Sequence, residues 1–588
     1  MTKTLFHQPY EPYAYAITSH KARLVLLASP CKFYRVTLHY GDRYVKETTD
    51  SLAMRFAGFD GTHDVFVADV PVPTSRLKYV FEAAPMDREP DNQGDKLTSS
   101  IFIGEGGTST DPEEAGIFQI PYLCAQDVFR VPEWVNSSVC YQIFPERFEN
   151  GNPALTPAGA VTWDAKPTRA SMHGGDLPGI TKRLDYLKAL GVNLVYLTPV
   201  FAAGSNHKYD TFDYKKIDPQ FGTKEDLRDL VTKAHELGIK VVLDAVFNHA
   251  GLRFAPFRDA LEHGRESKYF DWFFIDGDEV DTKSVNYETF GTKNAYMPKL
   301  NVANPEVETF LLDVATYWIR ECNIDGWRLD VANEISHVFW RRFREAVKAE
   351  KPDALIIGEV WHNSMPWLYG DQFDSVMNYV FRDACLKYFI KGEWSSVQFA
   401  EAMVRLLYLY PDAPTRAMFN LLGSHDTERI LTLADEDVAK VALAFTFAFT
   451  FPGIPMLYYG DEIGMVGGQD PDCRRAMIWD EERQDLALQA LVAHLAHLRT
   501  SQPALAGSRL DLLDVREDLI VYERISDDGK EAIRVAINTG EDPVAITVEG
   551  EVLFHTGSTA TLSKQELTGK SAAVWRVAIS ERTSRSKQ

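Results

Sequence analysis

The chain has 588 residues, 45% hydrophobic and 25% charged, with a formal net charge of −22 at pH 7. That length exceeds what one hydrophobic core supports, so roughly two to four domains are expected, and the composition is that of a soluble globular protein. The negative charge argues against nucleic acid and anionic membrane surfaces and favours a neutral or cationic ligand. The six cysteines (Cys31, Cys124, Cys140, Cys322, Cys385, Cys473) are scattered without a C-x-x-C pair, the pattern of reduced core thiols rather than a disulfide frame or metal site. The segment MTKTLFHQPYEPYAYA lacks the apolar stretch of a secretory signal. The most apolar run, Val441 to Leu457, is broken by Pro452, Gly453 and Pro455, which excludes a membrane span. A cytoplasmic location is the expectation.

Residues 1–125 alternate as strands, RVTLHYGDRYVK and DVFVADVPV among them, with turn signals at GFDGTHD and PMDREPDNQGD, and predict an N-terminal β-sandwich. From 126 to 504 short apolar strands alternate with amphipathic helices. In one clear unit Thr223 opens a T-x-x-D cap, Leu227, Leu230, Val231, Ala234 and Leu237 follow at helical spacing, Gly238 ends the helix and IKVVLDAVF starts a strand. SVCYQIFP, GVNLVYLTP, IKVVLDAVF, IDGWRLD, ALIIGEV, FDSVMNY, AMFNLLGS and GIPMLYYGDE supply the eight strands of an α/β fold, a (β/α)8 TIM barrel. The gap after the third strand is too long for one helix, so residues 250–302 form an inserted subdomain. Alternation returns in DLIVYERISDDGKEAIRVAIN, with a hairpin signal at Asp527–Asp528–Gly529, and residues 505–588 form a C-terminal β-sandwich ending in the polar tail ERTSRSKQ.

In IDGWRLDVANE, period-two alternation sends Gly326, Arg328 and Asp330 to one face and Trp327, Leu329 and Val331 to the other. The second face suits a core, so the first holds a buried charge pair, which is poor value as a stability device. Working residues of such barrels sit at the C-terminal strand ends. Those ends carry Asp244, Asn248 and His249, then Arg328 and Asp330, then Glu359, then His425 and Asp426. Singly, each has an ordinary structural explanation. Jointly, an ionised Asp beside a Glu is the equipment of glycosidic-bond cleavage. Retention of configuration requires carboxyls ~5–5.5 Å apart, and adjacent strands roughly 4.7–4.9 Å apart allow that.

The motifs DAVFNH (244–249), GWRLDVANE (326–334), GEVWH (358–362) and LLGSHDTE (421–428), in this order, resemble the α-amylase family of glycoside hydrolases. The resemblance covers essentially the whole chain. MPKLN (297–301), VANEISHVFWRRFR, GEVWHNSMPWLYGDQFDSVMNY and the N-terminal β module are similar to one subgroup, the neopullulanases, cyclomaltodextrinases and maltogenic amylases. The resemblance implies Asp330 as nucleophile, Glu359 as acid/base and Asp426 as transition-state stabiliser. It also implies that Tyr209 (from NHKYDT), His249, Arg328 and His425 line the subsite where the bond breaks, with Asp244 and Asn333 among the substrate-binding residues. Glu334 and His362 would flank the acceptor side and tune hydrolysis against transglycosylation, with Trp361 as a stacking platform. The substrates implied are cyclodextrins, pullulan and short maltooligosaccharides. The partner implied is a second copy of the chain, in a homodimer formed through the N-terminal module. A loop of Asn150, Asn152, Thr156, Gly174 and Asp176 resembles a calcium loop of these enzymes, though with a single carboxylate. No organic cofactor is implied. A glucanotransferase or isomerase on the same scaffold, or a non-catalytic glucan-binding relative, stands as the alternative.

Overall fold

The computed structural model describes residues 5–30, 33–85, 100–557 and 565–577. Cys31, most of the turn signal PMDREPDNQGD and the tail ERTSRSKQ lie outside the described residues.

Two antiparallel sheets make the N-terminal sandwich. Lys21–Ala28, Asp64–Pro71 and Arg55–Phe59 lie in one, and Phe33–Gly41, Leu77–Pro85 and Ile101–Gly104 in the other. Alternation decides what each face buries. Leu24, Leu26, Phe66 and Ala68 meet Val36, Leu38, Tyr79 and Phe81 inside the sandwich. The intervening Val25, Val65 and Val67 point outward onto Val404, on the helix Ser396–Tyr408 of the catalytic unit.

The eight expected barrel strands all form: β1 (Cys140–Ile143), β2 (Leu194–Leu197), β3 (Lys240–Ala245), β4 (Gly326–Leu329), β5 (Leu355–Gly358), β6 (Ser375–Val376), β7 (Phe419–Leu421) and β8 (Ile454–Tyr458). They pair in parallel in the order β6-β5-β4-β3-β2-β1-β8-β7. A further parallel pairing of Met377 with Phe419 joins β6 to β7 and closes the ring. Leu194, Tyr196, Val242, Leu355, Ile357, Leu421 and Met456 fill the barrel, while Val195, Val241, Leu243, Trp327, Leu329 and Ile356 face the helices outside. At β4 a side chain in place of Gly326 would put its Cβ 2.2 Å from the Leu355 carbonyl oxygen, so glycine is what lets β4 and β5 approach.

The expected capping box is present: Thr223 and Asp226 satisfy each other's backbone amides at the start of Lys224–Glu236, an arrangement worth about 1 kcal/mol. The segment between β3 and the helix Pro305–Cys322 is the expected excursion. Its short helix Ala255–His263 and a set of backbone pairings fold it back onto the end of β3, with His249 paired to Lys299. The C-terminal unit is a five-stranded antiparallel sheet with a two-stranded one beside it. Tyr522, Val535 and Val574 face the barrel core, and Leu519, Ala536 and Trp575 pack under Ile546 and Leu567. Among the described residues no helix is long and apolar enough to cross a membrane.

A Gly326→Ala variant should lower the melting temperature by several degrees through steric overpacking. An unchanged thermal transition would show that β4 and β5 can separate without cost.

Candidate active site

The register of β4 with β5 pairs Leu329 with Gly358, so Asp330 and Glu359 leave the rim side by side. The register of β3 with β4 sets Asp244 against Arg328. Backbone bonds continue past the strands, from the Asp330 amide to the Ala245 carbonyl (3.1 Å) and from the Glu359 amide to the Leu329 carbonyl (2.9 Å).

Arg328 is fully buried and joins the three acids. Its Nη1 donates to both Asp244 oxygens at 3.1 Å and to Asp330 Oδ1 at 2.9 Å. Its Nη2 lies 2.8 Å from Glu359 Oε1, an ion contact outside hydrogen-bond geometry. Glu359 Oε1 also accepts from the Trp361 indole at 3.1 Å, and Oε2 accepts from the Val331 amide at 3.0 Å. Asp330 Oδ2 is buried with no hydrogen-bond partner.

Three carboxyls around one guanidinium cannot all ionise cheaply in a site closed to water. Burial pushes Asp330 well above the usual carboxylate range, Arg328 pulls it back and Glu359 pushes it up again. Burial likewise raises Asp244 to about 6, against the pull of Arg328 and the hydrogen bond from the Tyr196 hydroxyl. Asp330 and Asp244 are both raised by burial against the pull of the same guanidinium, so this pair favours holding a proton.

Neutral imidazoles border the acids. Burial holds His425 far below its usual range, helped by the charges of Arg474 and Arg328, and lowers His249 to about 3 and His207 to about 4. The Gln142 amide lies 2.8 Å from His425 Nδ1, and the Tyr209 hydroxyl 2.6 Å from Nε2. The Tyr209 and His425 rings stack at 5.5 Å and 8°. Asp426 sits between His425 Nε2 and Arg474 Nη2, 3.1 Å from each.

A cavity of about 640 Å³ opens over these groups, within the range of roughly 300–1,000 Å³ usual for ligand sites. Of the expected residues, Asp330, Glu359, Asp426, Tyr209, His249, Asn333 and Trp361 line it. Trp361 is 50% exposed and lies flat on Tyr379, ring centroids 3.7 Å apart. Asp244, Arg328 and His425 do not line the cavity. Asp244 is bonded to Arg328, and Asp244 and His425 both to the Tyr209 hydroxyl, so the three support the lining from below. Glu334 and His362 do not line it either: Glu334 is drawn 2.9 Å from Lys299, and His362 is exposed near the Trp367 ring.

Val331 also departs from expectation. Alternation puts it on the core face with Trp327 and Leu329, but the strand ends at Leu329 and Val331 adopts φ 46°, ψ 44°. The left-handed backbone swings it into the cavity wall. A β-branched residue there carries strain of order 1–3 kcal/mol, held in place by the hydrogen bond that the Val331 amide donates to Glu359 Oε2. Arg147, His207, Phe290, Met297, Asp470 and Arg474 line the cavity without having been anticipated. The signal for the last pair was the polar run GGQDPDCRR (467–475) in the long connection after β8, where barrel loops carry function.

The five residues of the suspected calcium loop do gather. Asp176 Oδ1 accepts from the Gly151 and Gly179 amides at 3.0 and 2.7 Å, and Oδ2 from the Asn152 amide at 2.8 Å. The Asn150 amide donates to the Thr156 hydroxyl at 2.8 Å, Asn152 Oδ1 caps Ala154, and Gly174 has φ 87°, with Thr156 and Asn150 where a side chain would stand. Only Asn150 Oδ1 is a buried oxygen without a partner. Glu149 nearby is paired with Lys182 and Arg183. Among the described residues no cluster of three His, Cys, Asp or Glu could hold a metal. A calcium ion asks for ~6–8 oxygens, and this donor set does not fit it.

Residues 142–496 match the family model described as alpha amylase, catalytic domain, and residues 1–124 the model of the alpha amylase N-terminal ig-like domain. The chain belongs to the alpha-amylase family. It is a glycoside hydrolase of that family. It is 47% identical over 569 residues to a cyclomaltodextrinase from Geobacillus thermopakistaniensis, covering 94% of each chain. It is 47% identical over 505 residues to neopullulanase 2 of Thermoactinomyces vulgaris, covering 85% of this chain and 84% of that one. A solved cyclomaltodextrinase structure superposes with a TM-score of 0.87 at 40% identity, covering 98% of both chains.

The depressed histidines set an acid limit. A buried imidazole at about 3, against 6.5 unfolded, contributes stability that is present above pH 6.5 and lost as the pH falls towards 3. His249→Gln should reduce the slope of stability against pH across that window by about 1.4 kcal/mol per pH unit. Urea unfolding at a series of pH values measures it, and parallel curves for variant and parent would contradict the assignment.

Proposed function

We propose that the protein is a retaining hydrolase of α-1,4-glucosidic bonds that acts on cyclodextrins, pullulan and short maltooligosaccharides, with transglycosylation as a side reaction. The observation that carries this reading is Asp330, which lines the same cavity as Glu359 and has one oxygen bonded to Arg328 and the other buried and unpartnered. Asp330 Oδ2 attacks the anomeric carbon while Glu359 gives its proton to the departing glycosidic oxygen. Glu359, now a carboxylate, then takes a proton from water as water displaces Asp330. Asp426 stabilises the positive charge that develops on the sugar, and Tyr209, His249 and Asn333 contact its hydroxyls. Trp361, with one face on Tyr379, offers the other to an apolar sugar face.

The relatives named cyclomaltodextrinase and neopullulanase support the substrate class. The exposed Tyr44 and Tyr122 of the N-terminal module, 76% and 60% accessible, support a homodimer in which that module meets the partner subunit. The described cysteines are free and mostly buried, which supports a reducing, cytoplasmic setting. The chemistry calls on no organic cofactor and, given the donor set around Asp176, on no calcium.

Asp330→Asn should lower turnover by about 10³-fold or more while sparing the fold; near-normal turnover would overturn the nucleophile. Initial rates on β-cyclodextrin and pullulan should exceed those on soluble starch, and a preference for starch would overturn the substrate class. Dialysis against a chelator should leave rate and melting temperature unchanged, and a loss restored by calcium would contradict the reading of the Asn150–Asp176 loop.

A further inference from the structure

We propose that Arg147 is a positioning residue for the part of the glucan that stays on the enzyme: it ties together two irregular loops that form one wall of the cavity, and so sets the binding of the sugar units beyond the one attacked. The inference rests on the function proposed above and deepens it. Glu359 gives its proton to the departing oxygen, so the departing sugar lies on the side of Glu359 and Trp361. The retained sugars run the other way, to the wall made by Thr168, Arg169, Asn206, Asp470 and Arg474. That wall has little regular structure of its own, since residues 156–176 and 464–471 run without helix or strand.

What holds it is the short turn Pro145–Arg147 that follows β1, whose Glu146 and Arg147 are both buried. Arg147 Nη2 donates to the Ser171 carbonyl at 2.8 Å and Nη1 to the Arg474 carbonyl at 3.1 Å, one bond to each loop. Its Nε pairs with Glu146, and Glu146 Oε1 accepts from the His173 and Gly174 amides. The Asn206 side-chain amide reaches the same Ser171 carbonyl at 2.9 Å and the Arg169 carbonyl at 3.2 Å. On the second loop the Met477 amide donates to the Arg147 carbonyl at 2.7 Å, and the Trp163 indole crosses from the first loop to the Met477 carbonyl at 2.8 Å. Arg474, with its backbone held in this way, meets Asp470 at 3.0 Å and Asp426 at 3.1 Å.

A buried ion pair is weak evidence of stability in itself, so stability alone does not account for a guanidinium bonded to two separate loops. Spanning them does. The planar fork of arginine can donate to two carbonyls at once in a fixed geometry, which the point charge of a lysine on its flexible stem cannot. Asp330 and Glu359 are held by Arg328, Val331 and Trp361 instead, so loosening the wall leaves the reacting pair in place. The loss falls on the sugar that leans on the wall, whose binding energy helps to place the ring under attack.

The test compares kcat/KM for α-maltosyl fluoride with kcat/KM for α-glucosyl fluoride, both read as fluoride release. The first substrate reaches past the attacked ring to the wall, and the second ends at that ring. In Arg147→Met the ratio of maltosyl to glucosyl should fall by about fivefold or more, whatever the loss on α-glucosyl fluoride. Arg147→Lys keeps a charge beside Glu146 but not the fork, and should lower the ratio about as far. Asn206→Ala, which removes the second donor to Ser171, should lower it by about twofold or more. An unchanged ratio in Arg147→Met, with both substrates losing alike, would make Arg147 a residue of the fold only, overturning the proposal and leaving the hydrolase reading intact. A parent enzyme that releases fluoride from neither substrate would overturn both. Should Arg147→Met fail to fold, Arg147→Lys and Asn206→Ala decide the same question.

Discussion

One buried guanidinium organises the active centre. Arg328 is the cation in contact with Asp244, Asp330 and Glu359, three acids delivered by three adjacent strands. Removing it would leave buried carboxylates uncompensated, at a cost of roughly 3–5 kcal/mol. The arrangement makes poor sense as a stabilising device, because a hydrophobic filling of the same volume would serve stability as well or better. It makes good sense as a way to hold the Asp330 and Glu359 carboxyls against one cation at the wall of the cavity. Burial raises Asp244 and Asp330 despite the cation between them, and the bond from Arg328 to Asp330 Oδ1 leaves the other oxygen without a partner.

The rest of the molecule supplies the conditions under which that cluster can exist. Parallel registers of β3, β4 and β5 put the acids at one level of the rim. Gly326 lets β4 and β5 come together, and the aromatic and aliphatic packing outside the barrel makes the registers unambiguous, since a slip of one residue would turn Arg328 into the helix layer. Neutral His425 and His249 add hydrogen-bonding groups without adding positive charge that would compete with Arg328. The left-handed turn at Val331 spends local strain to aim an amide at Glu359. The excursion after β3 returns to the same place through Lys299, which pairs with His249 at the end of β3.

Much of this was legible in the sequence because it rests on periodicity. The eight strands, the capped helix after Thr223, the excursion and the flanking β units follow from alternation and turn signals, and the strand-end rule picks out Asp330, Glu359 and Asp426. What escaped notice is what periodicity does not encode. Val331 breaks alternation because the chain leaves the strand at Leu329, one residue before Asp330. Asp470 and Arg474 belong to a loop after β8 with no regular spacing. Glu334 is diverted by a partner from a distant segment, and Asp244, Arg328 and His425 sit below the cavity lining, the first two bonded to each other and His425 to Gln142 and Tyr209. The loop at Asp176 carries the residue types of a metal site, but backbone amides have taken its carboxylate.

The central claim is that Asp330 becomes covalently bonded to sugar with Glu359 as its proton partner. The most direct test is to treat the enzyme with a fluorinated maltosyl fluoride that forms the glycosyl ester quickly and hydrolyses it slowly, then to digest the protein and locate the added mass by tandem mass spectrometry. The account predicts one sugar per chain, on the peptide containing Asp330, with labelling abolished in Asp330→Asn. Label on another carboxylate, or full turnover of the reagent with inversion and no labelled peptide, would contradict it.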